Sequence, residues 1–120
     1  MRKARGVTSY HAGVAAEEAV ARHYGRAGLH IAARRWRGKG GEIDLIARDG
    51  ATVVFIEVKC SATHAQAAQR LDMRQMARIA SAAAEFLGHE PQGQLTPARF
   101  DVALVDACGS VEILENAFAA

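Results

Sequence analysis

Only two cysteines, Cys60 and Cys108, occur in the 120 residues, and they stand apart, with neither a CxxC pair nor metal-site spacing. That excludes a disulfide-stapled scaffold and suits a reducing cytoplasm, with both thiols expected as small buried side chains. No apolar run is long enough to span a bilayer. Arg2, Lys3 and Arg5 open the chain, but Glu17 and Glu18 follow where a signal peptide needs an apolar stretch. The expectation is a cytoplasmic protein with no membrane partner. The five histidines show no HxxxH or HExxH spacing, which argues against a zinc enzyme. Gly38-Lys39-Gly40-Gly41 lacks the GK[ST] of a phosphate-binding loop and reads as a flexible connector. Repeats and low-complexity tracts are absent.

What is present describes one domain over 1–120. Half of the residues are hydrophobic and 23% are charged, enough for a single core without staples. The net charge of +2 hides an asymmetry. Residues 1–40 carry nine Lys and Arg against Glu17 and Glu18, net +7, and the remainder is net −5. A basic first third beside an acidic centre fits a surface that tracks phosphates, although a solvated helix would look the same.

The acidic centre is a β-hairpin. Residues 42–48 alternate, with Ile43, Leu45 and Ala47 on one side and Glu42, Asp44 and Ile46 on the other. Asp49-Gly50 is a two-residue turn signal, and 52–59 are rich in β-branched and aromatic residues. That turn would place Glu42 opposite Glu57, with Asp44 diagonal to it; a loop two residues longer would place Asp44 directly opposite Glu57. Either register leaves Asp44, Glu57 and Lys59 on one face. Diagonal neighbours lie roughly 7–8 Å apart, so both carboxylates could reach one ion. The second strand is apolar on both sides, as in a covered central strand. Carboxylates and an amine at its end are costly unless paired or bound to metal.

Around the hairpin, 1–12 have no clear period and read as a mobile arm. A helix is expected over about 13–27, stopped by Gly28, with Val14, Val20, Ala21, Tyr24 and Ala27 as its apolar stripe. Glu17 falls inside that stripe; Glu18 falls outside it, one turn before Arg22, a natural partner. A carboxylate on the apolar side needs a cation, either a bound ion or a basic side chain such as Lys59. Residues 29–36 read as a strand ending in Arg34, Arg35, Trp36 and Arg37. Such interleaving suits nucleic acid, since Arg holds phosphates and a ring can stack on a base; a lone Trp equally suits the core. Residues 60–71 are small and polar. Asp72 and Gln75 then form a capping box for a helix running to Leu87, and 99–105 and 111–114 close the chain as strands. The order is α-β-β-β-α-β-β.

Gly40-Gly41-Glu42-Ile43-Asp44-Leu45-Ile46 followed by Val54-Phe55-Ile56-Glu57-Val58-Lys59 resembles the motif of the PD-(D/E)xK nucleases. Adding Gly13-x-x-x-Glu17, Gly28-Leu29, Arg74-Gln75, Arg99-Phe100-Asp101-Val102 and Asn116-Ala117-Phe118, the chain is similar to the YraN family of bacterial proteins, related to archaeal Holliday junction resolvases. It departs in having Cys60-Ser61 where a Thr or Ala and then a basic residue are usual, and Arg74 where Lys is usual.

The resemblance implies a restriction-endonuclease-like α/β fold, with a mixed central sheet flanked by helices. It also implies a metal-dependent endonuclease acting on DNA, branched DNA included. Asp44, Glu57 and the Val58 carbonyl would hold one or two Mg²⁺ or Mn²⁺ ions, with Glu17 reaching them from the first helix. Lys59 would orient water and stabilise charge, and Gln75 could position water or phosphate if capping does not occupy it. Arg34, Arg35, Trp36, Arg37, Lys39 and Arg74 would contact nucleic acid, and a homodimer would suit a four-way junction. A nucleic-acid-binding module of the same fold with little or no turnover is the alternative.

Overall fold

A computed structural model describes the backbone of residues 2–118 and the side chains of residues 13–118. Helix α1 (Arg2–Arg26) leads into strands β1 (His30–Arg37), β2 (Glu42–Asp49) and β3 (Thr52–Cys60). Helices α2 (His64–Ala68) and α3 (Met73–Leu87) follow, then strands β4 (Ala98–Val105) and β5 (Val111–Leu114). The five strands form one sheet in chain order, antiparallel except for the parallel β3–β4 pair. The α2–α3 segment is the crossover that a parallel pair demands. The sheet is mixed and flanked by helices, as expected, with the short α2 as an addition inside the stretch read as irregular.

Helix α1 covers one face, where Ala16, Val20, Ala21 and Tyr24 meet Leu45, Ala47, Val54, Ile56 and Ala103. The stripe is thus shifted from the expected one: Ala16 joins it and Ala27 is exposed. The helix also begins at Arg2, so the segment expected as an arm has helical backbone. Its Arg, Lys and Ala favour helix by propensity even without an apolar period. Gly28, at φ 91°, ends the helix in a conformation that favours glycine.

Helix α3 covers the opposite face. Asp72 caps it by accepting from the Gln75 N–H at 2.8 Å, and Ile79, Ala82, Ala83 and Leu87 pack on Ile46, Val53, Phe55 and Phe100. Trp36 stands edge-on to Phe86 at 5.4 Å, and Phe86 edge-on to Phe55 at 5.8 Å. The indole is therefore the end of an aromatic chain in the core, not a free platform for a base. The connector Gly38–Gly41 is also more constrained than a flexible loop, since a Cβ at Gly40 would collide with Ser81 of α3. Of the two thiols, Cys60 is half-buried and Cys108 exposed, because Cys108 lies in the β4–β5 turn and not in a strand.

Asp101 is fully buried on the α1 side and is satisfied from three directions. Tyr24 Oη donates to it at 2.8 Å, Arg99 Nε at 3.1 Å and the Asn116 N–H at 2.9 Å. Burial, then the bond to Asp101, pushes the Tyr24 hydroxyl upward, so it remains a donor. One carboxylate thus ties α1, β4 and the chain after β5 together. Removing Asp101 leaves the Tyr24 hydroxyl and the Asn116 N–H without their acceptor, while Arg99 keeps Glu115 at 3.2 Å. Asp101→Ala is expected to lower the unfolding free energy by about 3–5 kcal/mol, and Tyr24→Phe by about 1.5–3 kcal/mol. Urea unfolding checks this, and a loss below about 0.5 kcal/mol, the level of an ordinary surface change, would remove the network from the account.

Candidate metal and phosphoryl site

The β2–β3 register sets the site. Asp49 pairs with Thr52 and Leu45 with Ile56, so Gly50-Ala51 is the two-residue loop and Asp44 falls opposite Glu57. This is the directly opposed arrangement; the turn is centred one residue later than Asp49-Gly50, with Gly50 at φ 58°. The ladder runs to Leu45–Ile56, and beyond it the Asp44 carboxylate accepts the Val58 N–H at 2.9 Å. Asp44 therefore lies in the gap where the two strands part, in place of a main-chain acceptor.

Strict alternation fails at this point. Ile43 and Ile46, three apart, pack in the same core cluster under α3, as do Ala33 and Trp36 on the neighbouring strand. Arg35 falls opposite Asp44 and has φ 49°, a left-handed conformation uncommon for a side chain of this size. The β1–β2 pair turns over locally there, which is why Ile43 leaves the side of Leu45 and Ala47.

Glu57 and Lys59 follow Phe55 on the α3 face. Glu57 is 7% exposed and hydrogen-bonded to the Asp44 carboxyl. Burial first, then that hydrogen bond and the Asp44 charge, push Glu57 up to about 9; the Lys59 charge acts the other way. At neutral pH Glu57 therefore keeps its proton. Lys59 Nζ donates to Gln75 Oε1 at 2.6 Å. The Gln75 side chain is therefore drawn into the site from the first turn of α3, while Asp72 alone does the capping.

Of these groups Asp44 and Lys59 border a cleft of about 430 Å³, which Val58, Cys60, Glu17 and Arg70 also line. Glu17 comes from α1, hence from the other face of the sheet, and its Oε2 accepts from Arg35 Nε at 3.1 Å. The expected contrast holds in burial, with side-chain exposure of 18% for Glu17 and 49% for Glu18. The partners differ from expectation, however: Glu17 meets Arg35, not Lys59, and Glu18 meets Arg34, not Arg22. Among the described residues, no group of three or more His, Cys, Asp or Glu converges as a metal site. A protonated Glu57 opposite the Asp44 carboxyl nevertheless fits a hard, oxygen-liganded cation, which would take that proton's place.

The basic residues divide. Arg34, Arg35 and Arg37 each face a carboxylate, the last pairing with Glu42 at 3.0 Å while its own side chain stays 80% exposed. Lys39 is held through its main-chain N–H by Glu85 at 2.8 Å, and its side chain is exposed. Arg74, exposed on the first turn of α3, has no ion pair among the described residues. Arg70 lines the cleft and donates to the Cys60 carbonyl at 2.8 Å. It escaped sequence reasoning because the stretch around it has no period; its only signal was an isolated cation soon after Glu57-Val58-Lys59.

The Glu57 proton has a consequence for stability. The folded protein keeps it up to about pH 9, whereas the unfolded chain releases it near 4.5, so the unfolded state binds fewer protons across that window. Metal-free stability should therefore fall as pH rises from 4.5 towards 9, with Glu57→Gln flattening the decline. Asp44→Asn keeps an acceptor for Val58 and removes the repulsion, so metal-free stability should hold or rise. Thermal melts across pH read both variants, and a decline that survives Glu57→Gln would place its source elsewhere.

Comparison with known proteins agrees with the motifs. The sequence profile of the family described as "Uncharacterised protein family UPF0102" matches residues 16–105. A UPF0102 protein of Cereibacter sphaeroides is 70% identical over 115 residues, covering 96% of this chain and 98% of that protein. A UPF0102 protein of Ruegeria pomeroyi is 61% identical over 114 residues, covering 95% and 93%. One from Dinoroseobacter shibae is 44% identical over 115 residues, covering 96% and 86%. Shared nearly end to end with these relatives, the chain belongs to the UPF0102 family, the YraN family that its motifs resemble.

Proposed function

We propose that this protein is a metal-dependent nuclease that hydrolyses phosphodiester bonds in DNA, with branched DNA as the first substrate to test. The observation that carries the reading is buried Glu57 against half-buried Asp44, which borders an open cleft together with a lysine held by a neutral amide. Beyond the acceptor that Asp44 offers the Val58 N–H, two buried or half-buried carboxyls add little to metal-free stability. They gain a purpose once a cation replaces the Glu57 proton.

Asp44, Glu57 and the Val58 carbonyl would hold Mg²⁺ or Mn²⁺, whose oxygen preference this donor set meets. The bound ion supplies an acidified water and an electrostatic partner for the phosphate. Lys59, fixed by Gln75, keeps its ammonium available to a phosphate oxygen without neutralising it through a carboxylate. Arg70 adds a cation to the same cleft. Glu17 borders the cleft and would join by exchanging Arg35 for the ion.

A binding module with little turnover is the second reading, favoured by the Glu17–Arg35 pair, which keeps the α1 carboxylate occupied. Purified protein with Mg²⁺ or Mn²⁺ and linear, branched and single-stranded DNA decides between them. Under the nuclease reading cleavage appears and Asp44→Asn and Lys59→Ala lose it by at least about 100-fold, the scale of one preorganised electrostatic group. Binding without cleavage in any metal would leave the second reading.

Metal titration gives an independent prediction. Mn²⁺ affinity should rise with pH towards about 9, because binding expels the Glu57 proton, and calorimetry in buffers of different ionisation heat should detect its release. Glu17→Gln should weaken Mn²⁺ binding and Glu18→Gln leave it unchanged, since only Glu17 borders the cleft. Equal affinities would remove Glu17 from the site.

A further inference from the structure

The cleft at the candidate site does not end at Cys60. A second cavity of about 360 Å³ shares Ala16 and Cys60 with it and continues past Ala62 and Val105 to Gly109. A third, of about 280 Å³, shares Gly109 with the second and is bordered by Arg22, His23, Arg26 and Ser110. Through these shared residues the three adjoin in series as a trough along the flank of α1, from Asp44 and Lys59 to the β4–β5 turn. Small residues, Ala15, Ala16, Ala62, Ala107 and Gly109, make up most of the lining of its middle, with Asp106 as the acid there.

The arginines along the trough differ from those on β1 in their pairing. Glu18 engages Arg34, and this leaves Arg22, its helical neighbour, without an ion pair among the described residues; Arg26 has none either. Both are exposed, one turn apart on the same side of α1. Asp106, the acid bordering the middle segment, turns its carboxylate onto the N–H groups of Cys108 and Ser110, at 3.0 and 2.9 Å. The far end is therefore a cationic mouth at the C-terminal end of a helix, where Arg side chains also face the negative end of the helix dipole.

Resting on the nuclease reading, we infer that a DNA strand lies along this trough, with Arg22 and Arg26 as its phosphate anchor away from the reacting bond. Along the helix, Arg22 and Arg26 lie roughly 7 and 14 Å beyond Glu17 at 1.5 Å per residue. At about 3.4 Å of axis per phosphate on one strand, that is roughly two to four phosphates from the candidate site. The small residues between allow the sugar-phosphate chain to approach the protein backbone. The anchor is thus on α1, and the paired arginines of β1 contribute little.

The test uses the full chain with Asp44→Asn in place, so that binding is read without cleavage, and a fluorescent duplex titrated across salt. Replacing Arg22 and Arg26 by Gln should weaken binding about tenfold at 50 mM salt and reduce the slope of log affinity against log salt by about 1.8, at 0.9 per lost phosphate contact. Arg37→Gln, already neutralised by Glu42, should leave the slope unchanged. The same Arg22→Gln/Arg26→Gln pair in the otherwise unaltered chain should bind Mn²⁺ as the parent does, which separates the anchor from the metal centre. If the parent binds DNA and the double variant keeps its salt slope, the trough assignment is overturned while the nuclease reading stands. If the parent binds no DNA at low salt, both fall together.

Discussion

Everything in the candidate site depends on where the β2–β3 hairpin turns. With Asp49 paired to Thr52, Asp44 faces Glu57 at the point where the strands separate. A slip of one residue would turn Glu57 and Lys59 to the α1 face and leave Asp44 facing Val58 or Ile56. The register is held by burial on both sides: Val54 and Ile56 belong to one core, Val53 and Phe55 to the other, so neither face tolerates the exchange. A hairpin with one wet face would be freer to slip. The sandwiching of β3 between two helices is what keeps two carboxyls in contact against their own repulsion.

Most of the architecture was legible because the signals were periodic. Asp72 and Gly28 marked helix ends by capping chemistry, and the doubly apolar β3 announced a central strand with helices above and below it. The hairpin was legible down to its two admissible registers. Choosing between them required the loop conformation, since Gly50 takes the left-handed position at the start of the turn and moves the centre one residue on. The face reversal at Asp44 was not legible at all. It follows from the backbone of Arg35 on the adjacent strand, and no pattern within β2 encodes a neighbour's dihedral angle.

Side-chain partners were the least legible layer. Burial of Glu17 followed from its place on the helix, but its partner follows from how β1 crosses α1, which is a tertiary fact. The cluster Arg34–Arg37 was legible as a run of charge, but the carboxylates of Glu18, Glu17 and Glu42 that meet it in space were not. Trp36 went to the core for a similar reason, since Phe86 arrives from a helix fifty residues later. Gln75 shows the reverse case: a residue explained by local capping turned out to reach Lys59, because Asp72 satisfies the helix end without it.

The Tyr24–Asp101 bond joins residues 77 apart in the chain. Helix α1, which carries Glu17 and one wall of the cleft, therefore gains its buried polar anchor only after β4 has been placed beside β3. Closing so long a loop is unfavourable until the distant contacts reward it, so this polar tie is completed after the apolar stripe of α1 has met β2 and β3. On a ribosome the partners Leu45, Ala47, Val54 and Ile56 emerge well before Asp101, so the apolar wall can form first. The topology thus sets an order in time: α1 can rest on the hairpin early, and it is fastened through Tyr24 only once β4 is in place.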